Sequence, residues 1–435
     1  MTTARGRQFS FPPSFLFGTA TSATQIEGSC TTSDWYAFAK SPARIKNGDT
    51  PDVACDGWHR YGQDIALQKE LGLSGYRMSI EWARIEPRPG ETDTRAIDTY
   101  RAMLGALREA QIEVLVTIHH FTLPLWLAER GGLLAAEFPE RLARFARIAA
   151  DALGDLCRLW VTINEPNVLA AQSYLLGVWP PAKTSLGDAL LAQYRLLEGH
   201  VQAYRAIKDA RGDNASVGIA HHLRIADAAR PGSLPDRSAA RLLERIFSDA
   251  FALALCEGRM LPGVDWMHRR TRRFDVRDAR GTHDFLGINY YTRDVVRFSL
   301  AHARELFALR GVAPGAEVSD LGWEVYPEGL GRLLRVWSDR SRVPIFVTEN
   351  GIADATDIKR GPFLVQHLAE VGRALADGVD VRGYFHWSLL DNFEWAEGYT
   401  PRFGLVEVDY RTQERRVRES GRLYGRIAQQ RRVEL

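Results

Sequence analysis

The chain has 435 residues, of which 45% are apolar and 25% charged, a balance that excludes a disordered or collagen-like polymer and fits a globular protein. Its 56 basic and 54 acidic side chains leave a net charge of +2, so bulk charge points to neither nucleic acid nor a membrane surface as partner. Mean hydropathy is −0.24, and the longest apolar runs, such as 112–118, are strand-length, so no membrane-spanning helix is expected.

Residues 1–10 are short of apolar side chains and show no secretory leader. Cys30, Cys55, Cys157 and Cys256 form no CxxC pair and are too few for a disulfide scaffold in a chain this long, so a reducing, cytoplasmic setting is the expectation. The arginine-rich run 268–273 has no interleaved aromatic residues and is read as a solvated loop.

From the first apolar run onward, a β-branched or aromatic stretch, a polar loop and a helical pattern alternate. Strands are predicted at 15–21, 75–82, 113–119, 158–164, 216–220, 285–291, 344–349 and 381–387. Helices are predicted at 61–71, 94–110, 137–153, 189–211, 237–256, 328–339 and 361–377, with a last one at 413–427. Such an alternation implies parallel strands joined by right-handed crossovers. An open doubly wound sheet and a closed barrel both satisfy it, and a count of eight favours the barrel. The expectation is therefore an α/β fold, a single (β/α)8 TIM barrel with long βα loops, forming one catalytic domain over 1–435. A bare barrel takes about 250 residues; stretches 22–58 and 289–326 look like two of the insertions.

Several of these runs end in chemically capable residues rather than turn formers: Glu81-Trp82, His119-His120, Asn164-Glu165, Asn289-Tyr290-Tyr291, Glu349-Asn350 and His386-Trp387. In a barrel those ends converge on one pocket.

Two of them carry a carboxylate in a marked setting. Thr162-Ile163-Asn164-Glu165-Pro166-Asn167 would by itself also open a helix, with proline in the first turn. Val347-Thr348-Glu349-Asn350-Gly351 would by itself also make a turn. As a pair, at the ends of the fourth and seventh strands, they stand on opposite sides of one barrel mouth. Two carboxylates flanking a bond are the minimum apparatus for glycoside hydrolysis, one protonated to serve the leaving oxygen and the other ionised to attack the anomeric carbon. Arg77 and Tyr291 are candidates to keep one of them ionised and oriented. The stretch 386–399 is dense in Trp, Glu and Asn, side chains that stack on sugar faces and accept sugar hydroxyls. Gln25, Glu27, His119 and His120 are further hydroxyl-binding candidates. No HExxH, Cys/His spacing or glycine-rich phosphate loop appears, so neither metal nor cofactor is expected.

With these motifs the sequence resembles glycoside hydrolase family 1, the retaining β-glucosidase and β-galactosidase family. The resemblance runs from about Phe11 to Tyr424. It begins with Phe15-Leu16-Phe17-Gly18-Thr19-Ala20 and Gln25-Ile26-Glu27-Gly28. It continues through Trp58-His59-Arg60-Tyr61, the stretch from Tyr76 to Trp82, Leu123-Pro124, and the Asn-Glu-Pro and Thr-Glu-Asn-Gly motifs. It ends in Phe403-Gly404-Leu405 and Asp409-Tyr410. The resemblance implies Glu165 as acid/base and Glu349 as nucleophile. It implies Asn164 at the sugar 2-hydroxyl, and Gln25, His120, Glu394 and Trp395 at the remaining hydroxyls, with Trp387 as stacking floor. Arg77, Asn289 and Tyr291 would support the nucleophile. The implied activity is exo-hydrolysis of terminal β-D-glucosides, with β-galactosides or β-fucosides, through a covalent glycosyl-enzyme.

The chain departs from the family at His120-Phe121-Thr122-Leu123-Pro124, where relatives commonly read His-Trp-Asp-Leu-Pro. That change removes an indole donor beside the sugar. Glu394 is retained where phosphosugar-specific relatives carry Ser, which favours a neutral sugar. The expected partner is a small β-glycoside or oligosaccharide, not nucleic acid or membrane. A transglycosidase with the same intermediate, and a catalytically silent sugar-binding barrel, are the alternatives.

Overall fold

Where the apolar runs place their side chains decides the architecture. The computed structural model describes residues 8–260 and 274–435; the arginine-rich run 268–273 lies outside the described residues. Eight parallel strands close a barrel in chain order. They are β1 (Leu16–Ala20), β2 (Gly75–Ser79), β3 (Glu113–His119), β4 (Leu159–Asn164), β5 (Ser216–His222), β6 (Phe285–Asn289), β7 (Ile345–Asn350) and β8 (Val381–Trp387). β8 returns to β1, with Gly383 opposite Leu16 and Trp387 opposite Ala20. Closure leaves the barrel sheet no free edge.

Parallel strands covered on both faces must be apolar almost throughout. β3 obeys this: only Glu113, at its start, is exposed. Inside the barrel the Phe285, Phe346 and Phe385 rings meet at successive centroid distances of 5.1 and 6.4 Å. Glycines make the room for them. A Cβ at Gly18 would lie 2.7 Å from the Phe385 ring, and one at Gly218 would lie 2.6 Å from the Phe285 ring.

Helices cover the outside. Phe138–Leu153 buries Phe138, Leu142, Phe145, Ala146, Ala149 and Leu153 on one face. At roughly 1.5–3 kcal/mol per large apolar side chain, such a face holds the shell to the barrel. Asp93 caps the helix Thr94–Glu109 by accepting from the Arg95 and Ala96 amides at 2.9 and 3.3 Å.

Three of the departures from the sequence expectation have a visible reason. β5 continues to His222 because that residue still pairs with Asn289 of β6. The helix expected over 237–256 is split into Leu234–Leu243 and Ala250–Glu257 by a π-helical stretch, Glu244–Asp249. There the Phe247 carbonyl accepts from Asn167 Nδ2 at 3.0 Å and the Ser248 carbonyl contacts His221 Nε2 at 2.6 Å, outside groups that favour a wider turn. The last helix begins at Glu419, not 413. Asp409 accepts from the Arg411 and Thr412 amides at 2.9 and 3.2 Å, closing a turn that pairs Glu414–Val417 with Val406–Asp409 as a hairpin.

The loops carry structure of their own. Arg293–Phe298 and Ala308–Gly311, both in the 289–326 insertion, form a small sheet with Ile225–Ala228 from the loop after β5. At the far end Gln8–Ser10 pairs antiparallel with Arg432–Glu434. Among the described residues no helix is long and apolar enough to cross a membrane.

Candidate active site

The C-terminal ends of the strands open on a cavity of about 470 Å³ whose wall includes Glu165, Glu349, His120, Tyr291, Trp387, Glu394 and Trp395. Glu349, near the end of β7, is 3% exposed. Both its oxygens are occupied: Oε1 accepts from the Arg77 guanidinium and Oε2 from the Tyr291 hydroxyl at 2.7 Å. Arg77, on β2, is fully buried. Its guanidinium also donates to Thr117 Oγ1 at 3.1 Å, the Thr348 carbonyl at 3.4 Å and Asn164 Oδ1 at 2.7 Å. A planar fork of five donors serves these four partners without moving.

Glu165 follows β4 with φ +43° and ψ +60°, left-handed backbone that costs a non-glycine residue roughly 1–2 kcal/mol. Its amide donates to the Ala220 carbonyl of β5 at 2.8 Å, and Pro166 starts the short helix Pro166–Ala170 behind it. Its Oε1 accepts from Asn289 Nδ2 at 2.8 Å and lies 3.2 Å from His222 Nδ1. Asn289 Nδ2 also reaches Asn164 Oδ1 at 3.1 Å, while Thr348 Oγ1 donates to Asn289 Oδ1 at 2.6 Å and so fixes which way the amide points. Side-chain contacts therefore run unbroken from Glu349 through Arg77, Asn164 and Asn289 to Glu165.

Burial pushes Glu349 up to about 7; the Arg77 charge opposes this and the negative Glu165 adds to it. Burial also raises Glu165; the contact with His222, the Asn289 donor and the Arg77 charge oppose it. Carboxyls this strongly linked titrate as one pair, and the pair keeps a single proton up to about neutrality. The donors decide where that proton sits. Glu349 has a donor on each oxygen. Glu165 receives both of its donors on Oε1, and among the described residues Oε2 has no hydrogen-bond partner. A charged guanidinium adds a Coulombic attraction to its hydrogen bond that neutral donors lack, and so favours the ionised carboxylate. The proton therefore belongs on Glu165 Oε2 and the charge on Glu349. Arg224 Nε donates to His222 Nε2 at 3.3 Å, so Nδ1 is the ring nitrogen that carries the hydrogen facing Glu165.

The remaining candidates fall into two groups. His120 stands between two indoles, stacked at 5.9 Å from Trp387 and 6.1 Å from Trp395. Trp387 Nε1 donates to Glu394 Oε1 at 3.2 Å. Glu394 reaches the cavity surface yet is pushed up to about 8, mainly by burial. These four form one wall. Gln25 and Asn164 stand behind the lining. The Gln25 amide donates to Asn392 Oδ1 at 2.8 Å and the Phe393 carbonyl at 2.9 Å, and its Oε1 accepts from Ser22 at 2.6 Å. Asn164 Nδ2 lies 3.2 Å from His120 Nε2. Glu27 is used elsewhere, paired with Arg84 at 3.1 Å and accepting from Tyr100 at 2.8 Å. His119, although buried beside His120, does not line the cavity.

Sequence reasoning missed His222, Arg224, Trp179 and Trp323, all on the cavity wall. For His222 a signal existed: His221-His222 continues the fifth apolar run, another polar strand end. The two tryptophans come from irregular loops, where no periodicity points inward. At the departing motif, Phe121 fills its place by packing on Trp179 at 4.8 Å and Trp395 at 5.3 Å. Thr122 donates to the buried Glu81 at 3.1 Å. No group of three or more His, Cys, Asp or Glu among the described residues is arranged to hold a metal ion.

The arrangement can bring a proton donor and an anionic nucleophile to a bond placed in one partly desolvated cavity, beside an indole and imidazole wall suited to a sugar face. The sequence matches the family model described as Glycosyl hydrolase family 1 over residues 7–433. It is 34% identical to Beta-glucosidase A of Thermotoga maritima, over 96% of this chain and 97% of that one. It is 32% identical to a Beta-galactosidase of Sulfolobus acidocaldarius, over 96% of this chain and 95% of that one. Among solved structures, the Thermotoga maritima β-glucosidase in complex with glucoimidazole superposes with a TM-score of 0.91 at 33% identity, covering 97% of this chain and 99% of that one. With family, relatives and barrel agreeing along nearly the whole length, the chain belongs to glycosyl hydrolase family 1.

Proposed function

We propose that the chain is a retaining exo-β-glycosidase that hydrolyses terminal β-D-glucosides, and β-D-galactosides and β-D-fucosides as well, by two displacements. The carrying observation is the contact chain from Glu349 to Glu165, which seats both carboxyls on one cavity with donors that sort them into anion and acid. In the first displacement Glu349 attacks the anomeric carbon while Glu165 Oε2 gives its proton to the departing oxygen; the carbon–oxygen bond to the aglycone breaks and an ester to Glu349 forms. In the second, Glu165, now a carboxylate, takes a proton from water as that water attacks the same carbon and Glu349 leaves.

Trp387 and His120 would face the sugar ring, and Glu394 and Trp395 its far hydroxyls. The second amide hydrogen of Asn164 Nδ2 would reach the 2-hydroxyl. The pair of relatives named for glucoside and galactoside activity supports both sugars. One catalytic domain over the whole chain belongs to the same proposal: the cavity is lined from the barrel, from the 289–326 insertion through Arg310 and Trp323, and from the C-terminal segment through Glu397 and Phe403. So does a cytoplasmic setting, supported by four free cysteines, two of them buried thiols.

Inactivation with 2-deoxy-2-fluoro-β-D-glucosyl fluoride followed by peptide mapping tests the reading. The label should sit on Glu349. A label on another carboxyl, or slow turnover without any label, would remove Glu349 as nucleophile.

A further inference from the structure

His222 closes β5 and lines the cavity, its ring stacked on that of Tyr291 at 6.1 Å and 20° between planes. Its two nitrogens face different partners. Nδ1 lies 3.2 Å from Glu165 Oε1, and Nε2 lies 3.3 Å from Arg224 Nε. A guanidinium nitrogen donates and never accepts. Nε2 is therefore the bare nitrogen, and Nδ1 carries the hydrogen aimed at Glu165. Arg224 is anchored from behind: Asp294 accepts from one of its terminal nitrogens at 3.1 and 3.2 Å, and the Arg224 amide donates to Ser248 Oγ at 3.1 Å.

Resting on the acid role proposed for Glu165, we infer that Arg224 is a positioning residue: it locks His222 as the neutral Nδ1–H tautomer, and so keeps the transferable proton on Glu165 instead of letting an imidazolium form beside a carboxylate.

The alternative state is easy to specify. In it the ring carries a hydrogen on both nitrogens. An imidazolium 3.2 Å from Glu165 would then hold that carboxyl ionised, and the leaving oxygen would depart without a proton. Arg224 opposes this twice, by occupying Nε2 and by placing a second positive charge against the ring. The other ionisable groups around the pair are accounted for. Glu165 faces Arg77 and Glu349 as well as His222. Behind Arg224 stands Asp294, whose negative charge balances the guanidinium. Across the ring stack Tyr291 donates to Glu349. His221, the preceding strand residue, is pushed down to about 4 by burial and contacts the Ser248 carbonyl through Nε2. Phe247, from the π-helical stretch, packs on the ring without charge.

The first test uses the unmodified enzyme. Nitrogen NMR of the histidine rings, with His222 identified by the signal lost in His222→Gln, should show Nε2 unprotonated at neutral pH. The second uses Arg224→Lys, which keeps a cation opposite Asp294 but lacks the Nε–H. The alkaline limb of kcat/KM should move down by about one pH unit. At pH 7 an alkyl β-glucoside should lose about tenfold, and a dinitrophenyl β-glucoside, which needs less protonation, clearly less. Adding His222→Gln should return the limb towards its original place, because an amide donates to Oε1 and does not titrate. A wild-type Nε2–H tautomer overturns the inference. So do equal losses on both substrates with an unmoved limb. Trapping on Glu349 and the leaving-group response of Glu165 variants stay intact in either case, so failure here is separable from failure of the assigned chemistry.

Discussion

Arg77 on β2 and Asn164 on β4, 87 residues apart in sequence and with β3 between their strands, are joined by a 2.7 Å hydrogen bond from guanidinium to amide oxygen. Because the same guanidinium also holds Glu349, one side chain sets the position of the nucleophile candidate and, through Asn164 and Asn289, that of Glu165.

Replacing Arg77 should therefore disturb both ionisation and geometry. Arg77 lowers Glu349 against the pull of burial. In Arg77→Met that opposition is gone, Glu349 is raised, and the acid limb of kcat/KM moves to higher pH. The stability sign follows. A carboxyl whose folded value lies above its unfolded value destabilises the fold as pH rises past the unfolded value, so the variant's Tm deficit should be larger at pH 8 than at pH 5. A buried carboxylate stripped of its partner costs about 3–5 kcal/mol. Arg77→Lys keeps the charge but not the fork, and should recover the limb more than the rate. An acid limb unchanged in Arg77→Met would remove the electrostatic role.

Glu394 offers a cleaner case, since it accepts from a neutral indole, Trp387 Nε1 at 3.2 Å. Burial raises it from 4.5 to about 8. The wild-type fold consequently loses stability as pH climbs from the lower of these values through the higher, by at most about 1.4 kcal/mol per unit, less where cavity water screens the charge. Glu394→Gln is free of that penalty. Its Tm relative to wild type should rise between pH 5 and pH 9, while KM for a β-glucoside increases because a hydroxyl acceptor is lost. A Tm difference flat across that range would contradict the assignment.

The barrel was legible because parallel strands buried on both faces leave continuous apolar runs, and all eight of these stand where the sequence places them. Glu165, Glu349, Arg77 and Tyr291 were legible because strand ends converge, so a polar residue closing an apolar run has few places to point. His222 escaped because the apolar side chains stop at Ala220 and the polar pair His221-His222 after them falls outside the predicted strand, although both still pair with Ile288 and Asn289 of β6. Arg224 escaped because its partners, Asp294 and His222, come from loop and strand ends that no periodicity connects. The hairpin at 406–417 escaped because charged residues such as Glu414, Arg415 and Arg416 suit an exposed helix face equally well; the Asp409 turn decides between them.

Gln25 separates a residue that touches ligand from one that braces the wall. Its amide makes three buried hydrogen bonds, to Asn392, Phe393 and Ser22. Gln25→Ala orphans those partners, and each unpaired buried group costs about 1–3 kcal/mol. Thermal denaturation should register a loss of several degrees, accompanied by a raised KM as the segment carrying Glu394 loosens. An unchanged Tm with a raised KM would instead assign Gln25 to direct contact with the sugar.

The two glutamates are told apart by where a small anion attacks. Glu349→Ala should lose about 10^4-fold or more in turnover of an aryl β-glucoside, since a missing nucleophile is scarcely compensated by the rest of a site. Azide entering the vacated space would act from the nucleophile's side and yield the α-glycosyl azide by one inversion. Glu165→Ala should still form the glycosyl-enzyme from a dinitrophenyl glucoside, with a further loss of about 10^2 to 10^4-fold for alkyl leaving groups that need the proton. Azide would then attack the ester on Glu349 from the opposite side, restoring turnover and giving the β-glycosyl azide by two inversions. Product stereochemistry read by NMR decides the assignment: the same anomer from both variants, or the two anomers exchanged, would mean that these side chains do not hold the roles their donors suggest.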